Sequence, residues 1–166
     1  TPHLLVIGDL MVDQYLWGDC DRISPEAPIQ IINVDKENKL LGGAGNVINN
    51  LKVLGAKVDV ISVVGDCETS IELKGLLNDI EVDTKYLVTQ KNRITSKKSR
   101  IIAAQQQVVR YDCESTDEIS VKSQDLILNA FMKIVANYEA VLLSDYGKGV
   151  LTNKLTQSLI NIANEH

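Results

Sequence analysis

Aromatic residues are scarce in this chain: they make up 4% of its 166 residues, with a single Trp and a single Phe. With 45% hydrophobic residues overall, the core must be built mainly from Leu, Ile, Val and Ala, and the length suits one domain. Cysteine is also rare. Cys20, Cys67 and Cys113 are odd in number, widely spaced and free of any CxxC pairing. They point to reduced thiols in a cytoplasmic protein and to no metal site; one disulfide plus a free thiol is the alternative. No apolar run reaches membrane-spanning length. The opening segment Leu4–Gly8 is too short, and wrongly flanked, for a signal peptide. A net charge of -5 argues against nucleic acid as a partner. Both common nucleotide fingerprints are missing. Gly43 and Gly45 are followed by Ile48, so GxGxxG fails at its third glycine, and there is no GxxxxGK[ST] loop. A dinucleotide-dependent dehydrogenase is thereby disfavoured. Repeats, low-complexity segments and linkers are absent as well.

What is present alternates between strand and helix. "HLLVIGD", "KVDVISVVG" and "EAVLLSD" read as short buried parallel strands, and "VDTKYLV" as another short strand. A helix is expected from Gly43, with Ala44, Val47, Ile48, Leu51 and Leu54 at helical spacing and Gly55 as its stop. "ETSIELKGLLNDI" reads as a helix with Ile71, Leu76, Leu77 and Ile80 inward. Ser123 is expected to cap a helix through Val135, and Thr152 one through Ile162. This rhythm predicts an α/β fold with a mostly parallel sheet flanked by helices. Two segments break it: a strand over Ala27–Val34, and a hairpin over Thr95–Tyr111 made of "TSKKSRIIAA" and "QQQVVRYD". They predict an accessory β-layer, a small lid over about residues 15–34 and 95–111. Ile31, Val34, Ile101, Ile102, Val108 and Val109 give that layer more apolar surface than a free hairpin can keep in water, so a homodimer through the lid is expected.

In open α/β sheets ligands bind beyond the carboxyl ends of the strands. Three polar clusters fall at such ends: Asp9 and Asp13 in "GDLMVD", the glycines of "GGAGN", and Ser144–Gly149 in "SDYGKG". Each has a plainer reading. Asp9 could be only a turn former or cap, the glycines could serve helix–strand packing, and "SDYGKG" could be a simple loop. Their coincidence on one rim favours a site, and its chemistry suits a polyol. A carboxylate such as Asp13 accepts hydrogen bonds from two neighbouring hydroxyls, and Asn46 both donates and accepts. Gly42 and Gly43 would let a ring approach backbone N–H groups at a helix start. The basic residues gather around the hairpin. Lys91 and Arg93 read as a solvated strand face, whereas Lys97, Arg100 and Arg110 could hold a phosphate. Lys97 and Arg100 have opposite parity, so both reach one ligand only across a bulge or twist.

The stretches "VIGDLMVDQY", "RISPEAP", "GGAGNVINNL", "QQQVVRYD" and "LSDYGKG" together resemble the sugar-kinase family of ribokinase and the PfkB-type enzymes. Within it they look most like the bacterial heptose 7-phosphate kinases of ADP-heptose and lipopolysaccharide synthesis. The resemblance runs from about Leu4 to Gly149. It implies a ribokinase-like α/β fold with a β-sheet lid, and ATP-dependent phosphorylation, with Mg2+, of the anomeric hydroxyl of D-glycero-D-manno-heptose 7-phosphate. It implies sugar contacts at Asp13, Gly42, Gly43, Asn46 and Asp145, and the sugar's phosphate near Lys97, Arg100 and Arg110. Two departures stand out. The usual Arg or His followed by Asn, before two glutamines, is here Ala104 and Gln105. The family's nucleotide site and GAGD motif lie in the second half of the fold, and no such segment occurs before His166. The 166 residues are therefore expected to be the sugar-binding half of a kinase, inactive alone, with no catalytic base among them. Another PfkB-type sugar kinase and a non-catalytic sugar-phosphate-binding module are the competing expectations.

Overall fold

The computed structural model describes residues 1–166. In chain order its elements are β1 (His3–Gly8), β2 (Leu10–Ile23), β3 (Gln30–Gly43), α1 (Ala44–Val53), β4 (Lys57–Val64), α2 (Glu68–Asp79), β5 (Leu87–Thr89), β6 (Ser96–Ala103), β7 (Gln106–Cys113), α3 (Val121–Ile134), β8 (Ala140–Ser144) and α4 (Asn153–Asn164). They form two four-stranded sheets. The first has the order β5-β4-β1-β8 and is wholly parallel. The second has the order β3-β2-β6-β7 and is the lid.

Side-chain alternation along β1 explains how the first sheet is covered. Leu5 and Ile7 point to one face, where they join Phe131 and Ile127 of α3 and Leu155 and Leu159 of α4. Val6 points to the other, with Ile48 of α1 and Leu73 and Leu77 of α2. All of these are buried, each contributing roughly 1.5–3 kcal/mol of burial. Three free cysteines lie outside both clusters. No helix is long and apolar enough to cross a membrane.

Several expectations change here. Asp13, expected just beyond the first strand, stands at the root of β2, a strand of 14 residues. The lid strand expected at Ala27–Val34 starts at Gln30 and runs on to Gly43. Charged "DKENK" masked its second half; β3 is an edge strand, and charge is what an edge strand carries in place of apolar alternation. In α2, Ile71 is 72% exposed and Leu73 takes the inward position. Ser120, not Ser123, caps α3; Ser123 is buried at the third helical position, and its N–H donates to Ser120 Oγ. Thr152 caps α4 as expected, accepting from Leu155 N–H. The hairpin β6–β7 turns on Ala104 and Gln105, both in left-handed backbone with φ of 48° and 64°. Two such residues match the twist of paired strands.

Only Asp9 separates β1 from β2, and nothing separates β3 from α1. The chain therefore crosses between body and lid at two adjacent corners, tied by Ala44 N–H donating to Asp9 C=O at 2.9 Å. The candidate site stands at these corners.

Candidate functional site

Asp9 is completely buried. Its Oδ2 accepts from the N–H groups of Tyr146 and Lys148 at 2.8 and 3.1 Å, and its Oδ1 from Val150 N–H at 3.1 Å. Its own N–H donates to Ser144 C=O at 3.1 Å. One carboxylate thus shapes the whole "SDYGKG" loop, and the plainer reading of Asp9 as a cap is the one the fold realises. Arg93 completes the brace. It is 6% exposed, not solvated, and donates to the carbonyls of Asp117 and Lys148. Burial pulls its pKa down, partly offset by Asp9 and Asp117.

Asp13 projects from the lid root. Its Oδ1 takes a hydrogen bond from Arg100 Nη1 at 2.7 Å, and Oδ2 has no protein donor. Beside it lies a cleft of about 360 Å³ between β3 and the helices α1 and α2. Its polar walls are Asp13, Tyr15, Lys39, Asn46, Asn49 and Asp79, and its apolar ones Leu40, Leu41, Leu76 and Ile80. Carboxylates, amides and a lysine around an apolar floor form a donor and acceptor set fit for a polyhydroxyl ligand. Asn49 was legible in principle, since it follows Asn46 by three and shares its helix face. Asp79, at the end of α2, carries no signal in the sequence.

The glycines answer to packing. A Cβ on Gly42 would overlap Asp13 Oδ2 and Met11. Gly43 has φ of +55°, and a Cβ there would come within 2.5 Å of Asp9 C=O. Both positions let the Asp13 strand and the start of α1 meet; neither is part of the cleft wall.

The basic residues divide by strand parity. Asp13, Tyr15, Lys98 and Arg100 share one lid face; Gln14, Lys97 and Ser99 share the other. The only shift in β6–β7 pairing comes later, between Ile101 and Ile102, so no bulge brings Lys97 beside Arg100. Lys97 instead pairs with Glu72 of α2 at 3.1 Å, as does Lys39 at 2.7 Å. Burial would raise the Glu72 pKa, but the hydrogen bonds from Lys39 and Lys97 hold it below its ordinary value. On the same face, Ser99 donates to Gln14 and Gln14 to Glu37, each at 2.6 Å. Arg110 lies on exposed β7 and pairs with Asp112 at 3.1 Å. Lys98 reaches Asp112 at 2.9 Å and Glu114 at 3.7 Å, and Lys148 reaches Glu114 at 2.8 Å. Asp145 is exposed and accepts from Gly147 N–H at 2.8 Å, closing its own turn. Of the residues expected to meet a sugar, the cleft unites Asp13 and Asn46. Arg100 and Gly42 touch Asp13, Gly43 sits at the corner, and Lys97, Arg110 and Asp145 are engaged elsewhere.

Known proteins share this fold. Among solved structures, a carbohydrate kinase from Agrobacterium tumefaciens superposes with a TM-score of 0.69 at 18% identity, over 99% of this chain and 51% of that one. The ribokinase of Arabidopsis thaliana, solved with ribose and ATP, does so at 0.62 and 15% identity, over 99% and 51%. In sequence, the chain is 61% identical to the bifunctional protein HldE of Aliarcobacter butzleri across 99% of its own length and 35% of the relative's. It is 55% identical to the HldE of Sulfurimonas denitrificans across 100% and 35%. The chain thus spans about a third of the curated relatives it matches. The pfkB family carbohydrate kinase pattern matches residues 1–166, and the chain belongs to that family.

Proposed function

We propose that these residues form the sugar site of a kinase that transfers a phosphoryl group from ATP to the anomeric hydroxyl of D-glycero-D-manno-heptose 7-phosphate. The observation that carries this reading is the Asp13 carboxylate, with one oxygen on Arg100 and the other without a protein donor, beside a cleft holding Asn46 and Asn49. The motifs shared with heptose kinases and the 61% and 55% identity to the HldE proteins support the heptose; membership of the family supports phosphoryl transfer.

In this reading Asp13 accepts from two adjacent sugar hydroxyls, and Asn46 donates to or accepts from a third. Asp9 and Arg93 keep the 144–150 loop, with Asp145, in place at the rim. The lid face carrying Lys98 and Arg110 offers positive charge to the phosphorylated end of the sugar, while Arg100 is turned to Asp13. ATP and Mg2+ belong to the complete reaction, where they supply the phosphoryl group and neutralise its charge. In this reading these residues bind and orient the acceptor. The setting is cytoplasmic, in keeping with the three free cysteines. The lid pairs with a second copy through the exposed Val108, Val109 and Tyr111 of β7. The test is to incubate the full-length protein with ATP and heptose 7-phosphate and follow the products by 31P NMR. A new anomeric phosphate resonance is expected. ATP consumption without it, or turnover of fructose 6-phosphate in preference, would replace heptose by another sugar.

A further inference from the structure

The side chain that the sequence offers to a phosphate makes its contact, in the fold, with a carboxylate. Arg100 Nη1 and Asp13 Oδ1 are 2.7 Å apart, with 18% and 22% of their side chains exposed. The guanidinium also lies over the Tyr15 ring, 5.1 Å from its centroid. Tyr15 is the register partner of Arg100 across β2 and β6. A stacked, hydrogen-bonded guanidinium has little freedom, and its single bond from Nη1 holds one oxygen of the carboxylate in place. Burial disfavours the Arg100 charge, but Asp13 outweighs it and lifts the pKa above its ordinary value. Against Asp13 Oδ2 lies Gly42, where a Cβ would overlap that oxygen. Asp13 is thus set between a rigid cation and bare backbone. Lys98, its own register partner, cannot replace Arg100, because its ammonium is spent on Asp112 and Glu114.

We propose that Arg100 is a positioning residue: it sets the Asp13 carboxylate so that Oδ2 meets the sugar hydroxyls, and it does not touch the substrate's phosphate. This rests on the sugar-kinase reading of the same cleft. Without Arg100 the terminal torsion of Asp13 is broad and roughly two-fold, and the oxygen facing the cleft is no longer fixed.

The test separates this role from a phosphate contact. In the full-length protein, calorimetric titration gives Kd for heptose 7-phosphate and for unphosphorylated heptose with the wild type, Arg100→Gln, Asp13→Asn and the double variant. Arg100→Gln is expected to weaken both sugars by a similar factor, roughly tenfold to a hundredfold. In the Asp13→Asn background it should add less than about threefold, because its effect passes through Asp13. Arg100→Lys, which keeps the charge and loses the fork, should recover only part of the loss; it gives the same comparison should Arg100→Gln fail to fold. A loss confined to the phosphorylated sugar, or full additivity with Asp13→Asn, would overturn the proposal in favour of a direct phosphate contact or an unrelated effect. A wild type that phosphorylates neither sugar removes the kinase reading itself. An active wild type matched by Arg100→Gln removes only the positioning role.

Discussion

At the scale of single residues, Gly42 and Gly43 separate two kinds of constraint. Gly43 needs its backbone: φ of +55° and the nearby Asp9 carbonyl exclude a side chain. Gly43→Val should cost about 1–3 kcal/mol from backbone strain alone, and more from the collision, read as a lower urea midpoint with unchanged slope. Gly42 needs only space, and what it makes room for is the Asp13 carboxylate and the buried Met11 side chain. Gly42→Ala should therefore lower the urea midpoint less than Gly43→Val does while weakening sugar binding, because Asp13 must turn away. Equal losses of stability in the two variants would contradict this division. The sequence made the glycines conspicuous but left open whether a ligand or a neighbouring element needed them. That choice depends on Asp13 and Asp9 lying against them, and those contacts exist only once β2 and β3 are paired.

At the scale of elements, the lid root is fastened to α2 through Glu72. Its pKa is depressed, so it contributes stability above the ordinary value of 4.5, and that contribution is lost as pH falls through the lower folded value. Glu72→Gln should flatten the acid limb of the stability curve and cost about 1 kcal/mol at neutral pH, the modest worth of a partly exposed network. An acid limb identical to the wild type's would show that Lys39 and Lys97 do not fasten the lid. Elements with strong periodicity, such as α1 and the parallel strands, were legible in the sequence. The lid was legible only where it is apolar. Both strands of the hairpin, with Ile101, Ile102, Val108 and Val109, are apolar enough to read, whereas β2 alternates with Asp13, Asp19 and Asp21 and the middle of β3 is a charged run. Arg93 was misread for a related reason: an arginine buried on two loop carbonyls looks, in sequence, like one facing water.

At the scale of the whole molecule, the proposed function assigns the sugar to these residues, and the chain spans about a third of the relatives it matches. The 166 residues alone should form no sugar bisphosphate from ATP, measured by coupled ADP release against a mock control; product above that control would mean a base and nucleotide site lie within them. The lid's apolar residues give a second expectation, a dimer in light scattering of the full-length protein that Val109→Asp weakens. A monomer at micromolar concentration, unchanged by that substitution, would leave the lid as a flap. Everything proposed for the site converges on Asp13, which makes one measurement the most direct: kcat/KM of the full-length enzyme and its Asp13→Asn variant on heptose 7-phosphate with saturating ATP. Loss of a charge-assisted acceptor predicts a fall of roughly tenfold to a hundredfold, with the circular dichroism spectrum and urea midpoint retained. An unchanged kcat/KM in a folded variant would mean that the cleft beside Asp13 is not where the sugar binds.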